Sequence, residues 1–189
     1  MKNIVLFGAP GAGKGTHATL IAEKYNMIHI STGDLLRQEV ANATPLGIQV
    51  KDIMEKGNLV GDDIVIRLVD QMLAKTKEGV ILDGFPRTVG QAKALDLLLV
   101  LHSRRLDHVI SIDIPRDELI RRIHERALIS NRSDDNEETI NHRLVEYESK
   151  TKPVLDYYME SGILTGVDGS GEISQTSALI CQVIDKTSD

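Results

Sequence analysis

The sequence predicts an α/β fold, in which a doubly wound parallel sheet of five strands carries helices on both faces. Three observations support this prediction. Short apolar runs alternate with helical patterns along the whole chain. The runs are continuously apolar, which is typical of strands that are buried on both faces. A glycine-rich turn directly follows the first run, at residues 8–16. Ligands are therefore expected at the carboxyl ends of the strands.

The glycine-rich turn reads GAPGAGKGT over residues 8–16, between a predicted strand at 4–7 and a predicted helix at 16–25. Glycines let the backbone curl so that successive N–H groups face phosphate oxygens, and the helix N-terminus adds positive potential. Lys14 supplies a full charge for the β- and γ-phosphates, and Thr16 supplies a hydroxyl near a magnesium ion. The strict motif has Ser or Thr directly after the lysine, whereas here Gly15 intervenes. The segment predicts a triphosphate site; a plain strand–helix turn of another α/β fold is the alternative.

The next elements form a predicted helical insertion over residues 31–60. A strand at 27–30 precedes a helix capped by Ser31, with Asp34 three residues on. A second helix runs from Pro45 to a stop at Gly57, and a third carries apolar residues at 64, 68 and 72. Helix capping alone would also explain the residues at 32 and 34.

A strand at residues 80–83 ends in the carboxylate of Asp83, a position that lies beside the magnesium ion in P-loop proteins. Taken alone, a strand followed by a turn is the commoner explanation for a carboxylate at this position. The loop at 84–87 aims the guanidinium of Arg87. The following helix, 88–101, is very aliphatic, and we expect it to pack deep against the sheet.

The last part of the chain alternates in the same way. A strand at 109–114 precedes a helix at 116–125, whose end places Arg122 and Arg126 on one face. A solvated charged face is the ordinary explanation for such a pair. Residues 127–133 lack periodicity and predict an exposed loop. A long helix that Pro153 should kink, a strand at 163–166 and a helix at 174–186 complete the fold.

Composition limits the classes of function. The chain has 189 residues, which suit a single domain over 1–189, and its net charge of −6 argues against a general nucleic-acid or membrane-surface binder. A single cysteine, Cys181, fits a reducing cytoplasm. The sequence has no four-ligand Cys/His cluster, so we expect no structural zinc. The first apolar stretch is too short for a signal peptide. We expect a cytoplasmic monomer.

Several motifs together resemble the adenylate kinase family of the short-lid type. They are GAPGAGKGT at 8–16, STGDLLR at 31–37, LDGFPRT at 82–88 with Gln91, and RSDDNEETINHR at 132–143. They extend over nearly the whole chain. The resemblance implies a P-loop core with an AMP-binding insertion at 31–60 and a short lid at 126–135. Short lids of that family usually have a glycine after the first arginine, whereas this chain has Ala127, followed by the apolar Leu128 and Ile129.

The resemblance also implies roles for individual residues. Those that would bind ATP are Gly11, Ala12, Gly13, Lys14, Gly15, Thr16, Arg122, Arg126 and Gly171. Those that would bind AMP are Thr32, Arg37, Leu59, Val60, Gly84, Arg87, Gln91, Arg132 and Arg143. The catalytic cations would be Lys14, Arg87, Arg122, Arg126, Arg132 and Arg143. Thr16 and Asp83 would organise magnesium through water, and no zinc is expected. The activity would be reversible, magnesium-dependent transfer of the ATP γ-phosphoryl group to AMP, giving two ADP.

The charge of the two nucleotides independently explains why such a site needs arginines. ATP and AMP together carry about six negative charges, and an acidic protein can bring them together only with a local cationic site. Arginine binds phosphate bidentately and keeps its charge. The AMP phosphate is already an anionic nucleophile, so no general base is needed.

Two alternatives remain at this point. One is a pyrimidine nucleoside-monophosphate kinase with the same fold; Gln91 argues against it because its amide offers adenine both a donor and an acceptor. The other is a slowly hydrolysing nucleotide switch. The sequence contains no Asn-Lys-x-Asp guanine motif, and the switch would leave the arginines without a purpose.

Overall fold

A computed structural model describes residues 2–129 and 137–186. The strands are β1 Asn3–Phe7, β2 Ile28–Ser31, β3 Val80–Asp83, β4 His108–Asp113 and β5 Leu164–Asp168. The helices are α1 Lys14–Tyr25, α2 Thr32–Ala41, α3 Pro45–Glu55, α4 Asp62–Lys75, α5 Val89–Leu101, α6 Arg116–Ile129, α7 Glu137–Glu146, α8 Lys152–Glu160 and α9 Ile173–Asp185, with a π-helical turn at Tyr147–Thr151.

The five strands form one parallel sheet in the order β2-β3-β1-β4-β5, which confirms the predicted fold class. The central strand β1 divides its side chains between two buried clusters. Val5 and Phe7 belong to one, and Ile4 and Leu6 belong to the other. Because alternate residues of a strand point to opposite faces, helices pack on both sides of the sheet. All the carboxyl ends meet at one edge, where the loops after β1 and β3 lie side by side.

The local helix signals of the second segment are confirmed. The Ser31 side chain accepts a hydrogen bond from the Asp34 backbone N–H at 3.3 Å, as an N-cap does. Pro45 opens α3, and Gly57 follows its end with a φ of 73°. That residues 31–60 and 126–135 act as separate insertions in the core stays a prediction, and residues 130–135 lie outside the described part of the chain.

The prediction of a loop from residue 127 is wrong, because α6 continues to Ile129. Ala127 and Leu128 favour helix, so nothing in the sequence stops α6 after Arg126. The helical periodicity is lost there because the end of α6 has no core to face: Leu128 is 89% exposed. The alanine that replaces the glycine usual in the family is therefore part of a helix.

The prediction for α5 is only partly right. Leu95 and Leu99 are fully buried, as expected for a helix on the sheet. Leu97, Val100 and Leu101 are 73–74% exposed, because a helix packed on one side can bury only one face.

Pro153 does disturb the long helix, but through a change of hydrogen-bond pattern. A π-helical turn, Tyr147–Thr151, directly precedes α8, and Pro153 lies in the first turn of α8. Proline has no N–H to donate, so the helix cannot continue its regular pattern through this position. The turn faces the loop after β3, and Thr151 contacts Arg87 there.

Candidate active site

The glycine-rich turn joins β1 to α1 in a conformation that only glycine adopts cheaply. Gly11 and Gly13 have φ values of 89° and 80°. A Cβ on Gly11 would stand 2.7 Å from a side-chain carbon of Ile123 and 2.8 Å from the carbonyl oxygen of Leu119, both on α6. Gly13 is the N-cap of α1, so the loop ends at a helix N-terminus. The geometry is that of an anion cradle.

Lys14 folds back over this loop. Its Nζ donates to the carbonyl oxygens of Gly8 at 2.8 Å and Ala9 at 3.2 Å. Burial lowers the pKa of Lys14 to about 8. The negative charge of Asp83 opposes this lowering, and three nearby cations add to it: Arg87, Arg143 and Arg126. The cations that influence Lys14 thus come from the loop after β3, from α6 and from α7. Distant parts of the sequence converge on the glycine-rich turn.

Asp83 ends β3 beside the loop and is 8% exposed. Its Oδ2 lies 3.5 Å from Nε2 of His29 on β2. Burial raises the pKa of this carboxyl, but His29, Lys14 and Arg87 lower it by more, and the net pKa is below its ordinary value. Asp83 is therefore ionised at neutral pH. Sequence reasoning missed His29, because its contact depends on β2 lying beside β3.

A pocket between the helical insertion and the loop after β3 contains most of the residues expected to bind a monophosphate. Its lining includes Thr32, Arg37, Leu59, Val60, Gly84, Arg87, Gln91 and Arg143. Apolar side chains that sequence reasoning did not assign to the site complete it: Leu36, Met54 and Val65. Only Arg132 of the expected set lies outside the described residues. The pocket thus combines an apolar lining with cations.

Arg87 is held at its backbone and at its side chain. Its N–H donates to Oε1 of Gln91 at 2.7 Å, and its carbonyl oxygen accepts from Oγ1 of Thr151 at 3.0 Å. Its Nε donates to the carbonyl oxygen of Gly84 at 2.8 Å, and the same oxygen accepts from Oγ1 of Thr32 at 2.9 Å. These hydrogen bonds therefore hold both the backbone of Arg87 and the Nε end of its guanidinium in place.

A larger cleft, with a volume of about 1160 Å³, extends from the glycine-rich turn along α6 towards α9. Its lining includes Gly11, Gly13, Lys14, Gly15, Thr16, Arg122, Arg126 and Gly171 from the expected triphosphate set. Ala12 belongs to the same loop but is buried. Arg37, Gly84, Arg87 and Arg143 line this cleft and the smaller pocket alike. The two cavities therefore meet at shared cations.

Glu118 on α6 orients two arginines of the larger cleft, Arg121 and Arg122. Glu118 accepts from Arg122 Nε at 2.7 Å and from Arg121 Nη2 at 2.6 Å. Hydrogen bonds from Arg121 and then Arg122 lower the pKa of Glu118 to about 2. Sequence reasoning missed Glu118, although its place four residues before Arg122 on a helix is a readable signal.

The donor set around Asp83 fits a magnesium ion that arrives with a nucleotide. Magnesium keeps several waters and is usually held by one or two carboxylates together with substrate phosphates. An ionised Asp83 beside Gly15 and the hydroxyl of Thr16 in the same cleft meet that requirement. Within residues 2–129 and 137–186, no three His, Cys, Asp or Glu side chains are grouped as a metal site. The helices described in this structure include none that is both long and apolar enough to cross a membrane.

Comparisons with known proteins agree with this geometry. The model of the adenylate kinase family matches residues 6–163. An adenylate kinase from Leptospira biflexa serovar Patoc is 47% identical over 186 residues, which cover 97% of this chain and 100% of the relative. One from Thermus thermophilus is 48% identical over 177 residues, with 94% of each chain covered. One from Methanothrix thermoacetophila is 41% identical over 212 aligned positions, with 97% of this chain and 99% of the relative covered.

Proposed function

This chain belongs to the adenylate kinase family and is a phosphotransferase that converts ATP and AMP into two ADP, and we propose that the reaction takes place where the two cavities meet. The larger cleft takes ATP, with its phosphates on the glycine loop and Lys14. The smaller pocket takes AMP. Three cations, Arg37, Arg87 and Arg143, line both cavities, and this observation carries the assignment. Side chains in that place could contact the phosphates of both nucleotides.

Catalysis in this site consists of positioning and charge stabilisation. The AMP phosphate is an anionic nucleophile, so no residue has to remove a proton before attack. Arg87, Arg126 and Arg143 act electrostatically on Lys14. Together these four cations would offset the charge that repels the two nucleotides. Arg132, from the same expected set, would join them on closure of the lid. The bidentate fork of arginine suits the equatorial oxygens of a loose transition state.

The remaining contacts hold the two nucleosides. Arg122 would lie against the ATP adenine, with backbone near Gly171 at its edge, while Glu118 fixes the guanidinium. Thr32, Leu59, Val60 and Gln91 would hold AMP. Bound magnesium would neutralise part of the ATP charge, with Asp83 and Thr16 holding it through water.

Water competes with AMP as the acceptor, so the site has to exclude it. We assign that task to the segments at 31–60 and 126–135, which would close over the two cavities as an AMP-binding insertion and a short lid. The protein would act as a cytoplasmic monomer, without nucleic acid or membrane as a partner.

A coupled assay of ADP formation tests this function. ATP and magnesium with AMP, CMP or UMP should give ADP rapidly with AMP only. Equal turnover with CMP or UMP would favour a pyrimidine kinase. Slow hydrolysis without an acceptor, together with tight GTP binding, would favour a nucleotide switch.

A further inference from the structure

The amide of Gln91 is bonded at both ends within the protein. Its Oε1 accepts from the Arg87 backbone N–H at 2.7 Å, and its Nε2 donates to Oδ1 of Asp62 at 2.8 Å. The side chain lines the smaller pocket although it is only 1% exposed. A carboxylate can only accept and a backbone N–H can only donate. The chemistry of these two partners therefore permits only one of the two orientations of the amide.

Asp62 is itself held in place. Its second oxygen, Oδ2, accepts from Oγ1 of Thr88 at 2.8 Å, and that hydroxyl caps α5 by accepting from the Gln91 backbone N–H at 3.1 Å. Asp62 lies in the first turn of α4, whose N-cap is Gly61. Both carboxylate oxygens are thus engaged by the start of α5, which is where Gln91 lies.

We infer that Asp62 is a positioning residue that sets the base specificity of the monophosphate pocket, because it fixes which way the Gln91 amide faces. This inference rests on the proposed function, in which Gln91 contacts the adenine of AMP. After its two internal bonds, the amide keeps one N–H and one acceptor lone pair for a ligand. These groups match the N1 acceptor and the N6 donor of adenine.

Hypoxanthine is the base that tests this inference most directly. It has nearly the shape of adenine, but it accepts at O6 and donates at N1, so its pattern is reversed. A glutamine that could turn would accept either base. A glutamine fixed by Asp62 leaves the groups of IMP opposed to its own, and a site with unpaired buried polar groups rejects its ligand strongly.

The experiment measures kcat/KM for AMP and for IMP, with ATP and magnesium, in the wild-type protein and in Asp62→Asn. An asparagine at 62 can accept from Gln91 or donate to it, so only the Arg87 N–H still opposes the reversed amide. The ratio of AMP to IMP should fall about tenfold or more, on the scale of a hydrogen bond to a charged group. Asp63→Asn is the matched control, since Asp63 is 77% exposed and pairs with Arg67. Its ratio should equal that of the wild type.

Two further variants keep the outcomes distinct. Asp62→Ala removes the acceptor without adding a donor and should lower the ratio in the same direction; it provides the measurement if Asp62→Asn does not fold. An unchanged ratio in a folded Asp62 variant, with only a lower Tm, would make Asp62 a structural link between α4 and α5 and overturn the inference. Gln91→Ala tests the underlying site: an unchanged KM for AMP would mean that Gln91 does not contact the base, and the proposed pocket itself would be wrong.

Discussion

Thr151 donates a hydrogen bond from Oγ1 to the carbonyl oxygen of Arg87 at 3.0 Å, across 64 residues of chain. Thr151 ends the π-helical turn and is 6% exposed. The irregular turn before Pro153 therefore has a consequence at the candidate active site. It places a buried donor against the backbone of a loop whose arginine lines both cavities.

Loss of this bond should reduce turnover. Thr151→Val keeps the shape of the side chain but removes the donor, so the Arg87 carbonyl loses this hydrogen bond and the loop can shift. We expect kcat to fall roughly tenfold, because small displacements of a positioning group are costly. Thr151→Ser retains the hydroxyl and should restore most of the rate. A drop in Tm with unchanged kcat in the valine variant would limit Thr151 to a structural role.

Arg87 should matter far more for catalysis than for folding. Arg87→Ala removes a guanidinium from the proposed phosphate site and should lower kcat/KM roughly 10²-fold or more, the scale for losing one oxyanion donor. The Tm should change little. Arg67→Ala is the matched control, because Arg67 is 71% exposed on α4 and pairs locally with Asp63. A large fall in Tm with near-normal kinetics would show that Arg87 is structural.

In the enzyme without nucleotide, loss of the Lys14 proton should produce an alkaline limb in the pH profile of kcat/KM for ATP. Its pKa of about 8 means that the charged form predominates below pH 8 and is lost above it. The kcat/KM for ATP should therefore fall as the pH rises through 8. The free energy of unfolding should instead rise with pH in this range. In the unfolded chain the lysine keeps its proton up to about pH 10.5, so unfolding takes up a proton between pH 8 and 10.5 and becomes less favourable as the pH rises there. A flat kcat/KM up to about pH 9.5, more than a unit above the folded pKa, would contradict this assignment.

Removal of divalent ions should stop catalysis without unfolding the protein. EDTA should abolish ADP formation, and magnesium in excess should restore it, because the proposed role of the ion is at the phosphates. The Tm without nucleotide should stay the same in EDTA. Stoichiometric bound zinc, with unfolding on chelation, would overturn the expectation that this chain needs no zinc.

Local patterns were sufficient for most of the fold. The apolar runs predicted five strands within about two residues, since a strand buried on both faces needs continuous apolar sequence. Ser31, Pro45 and Gly57 marked helix ends correctly, because caps and breakers act within a few residues. The end of α6 was missed because a helix without a core to face carries no periodic signal.

In the candidate site, too, some features were readable from the sequence and others were not. The glycine-rich turn was readable from the sequence alone, because a cradle of backbone N–H groups requires glycines at fixed spacing. Nucleotide charge explained why arginines are needed, but the individual arginines were assigned through the family resemblance, and their roles stay predictions. The contacts of His29 with Asp83, of Asp62 with Gln91 and of Thr151 with Arg87 could be found only in the folded protein. Each joins elements far apart in the chain. Such contacts depend on strand order and helix packing, which arise from the burial of whole faces and leave no mark on neighbouring residues in the sequence.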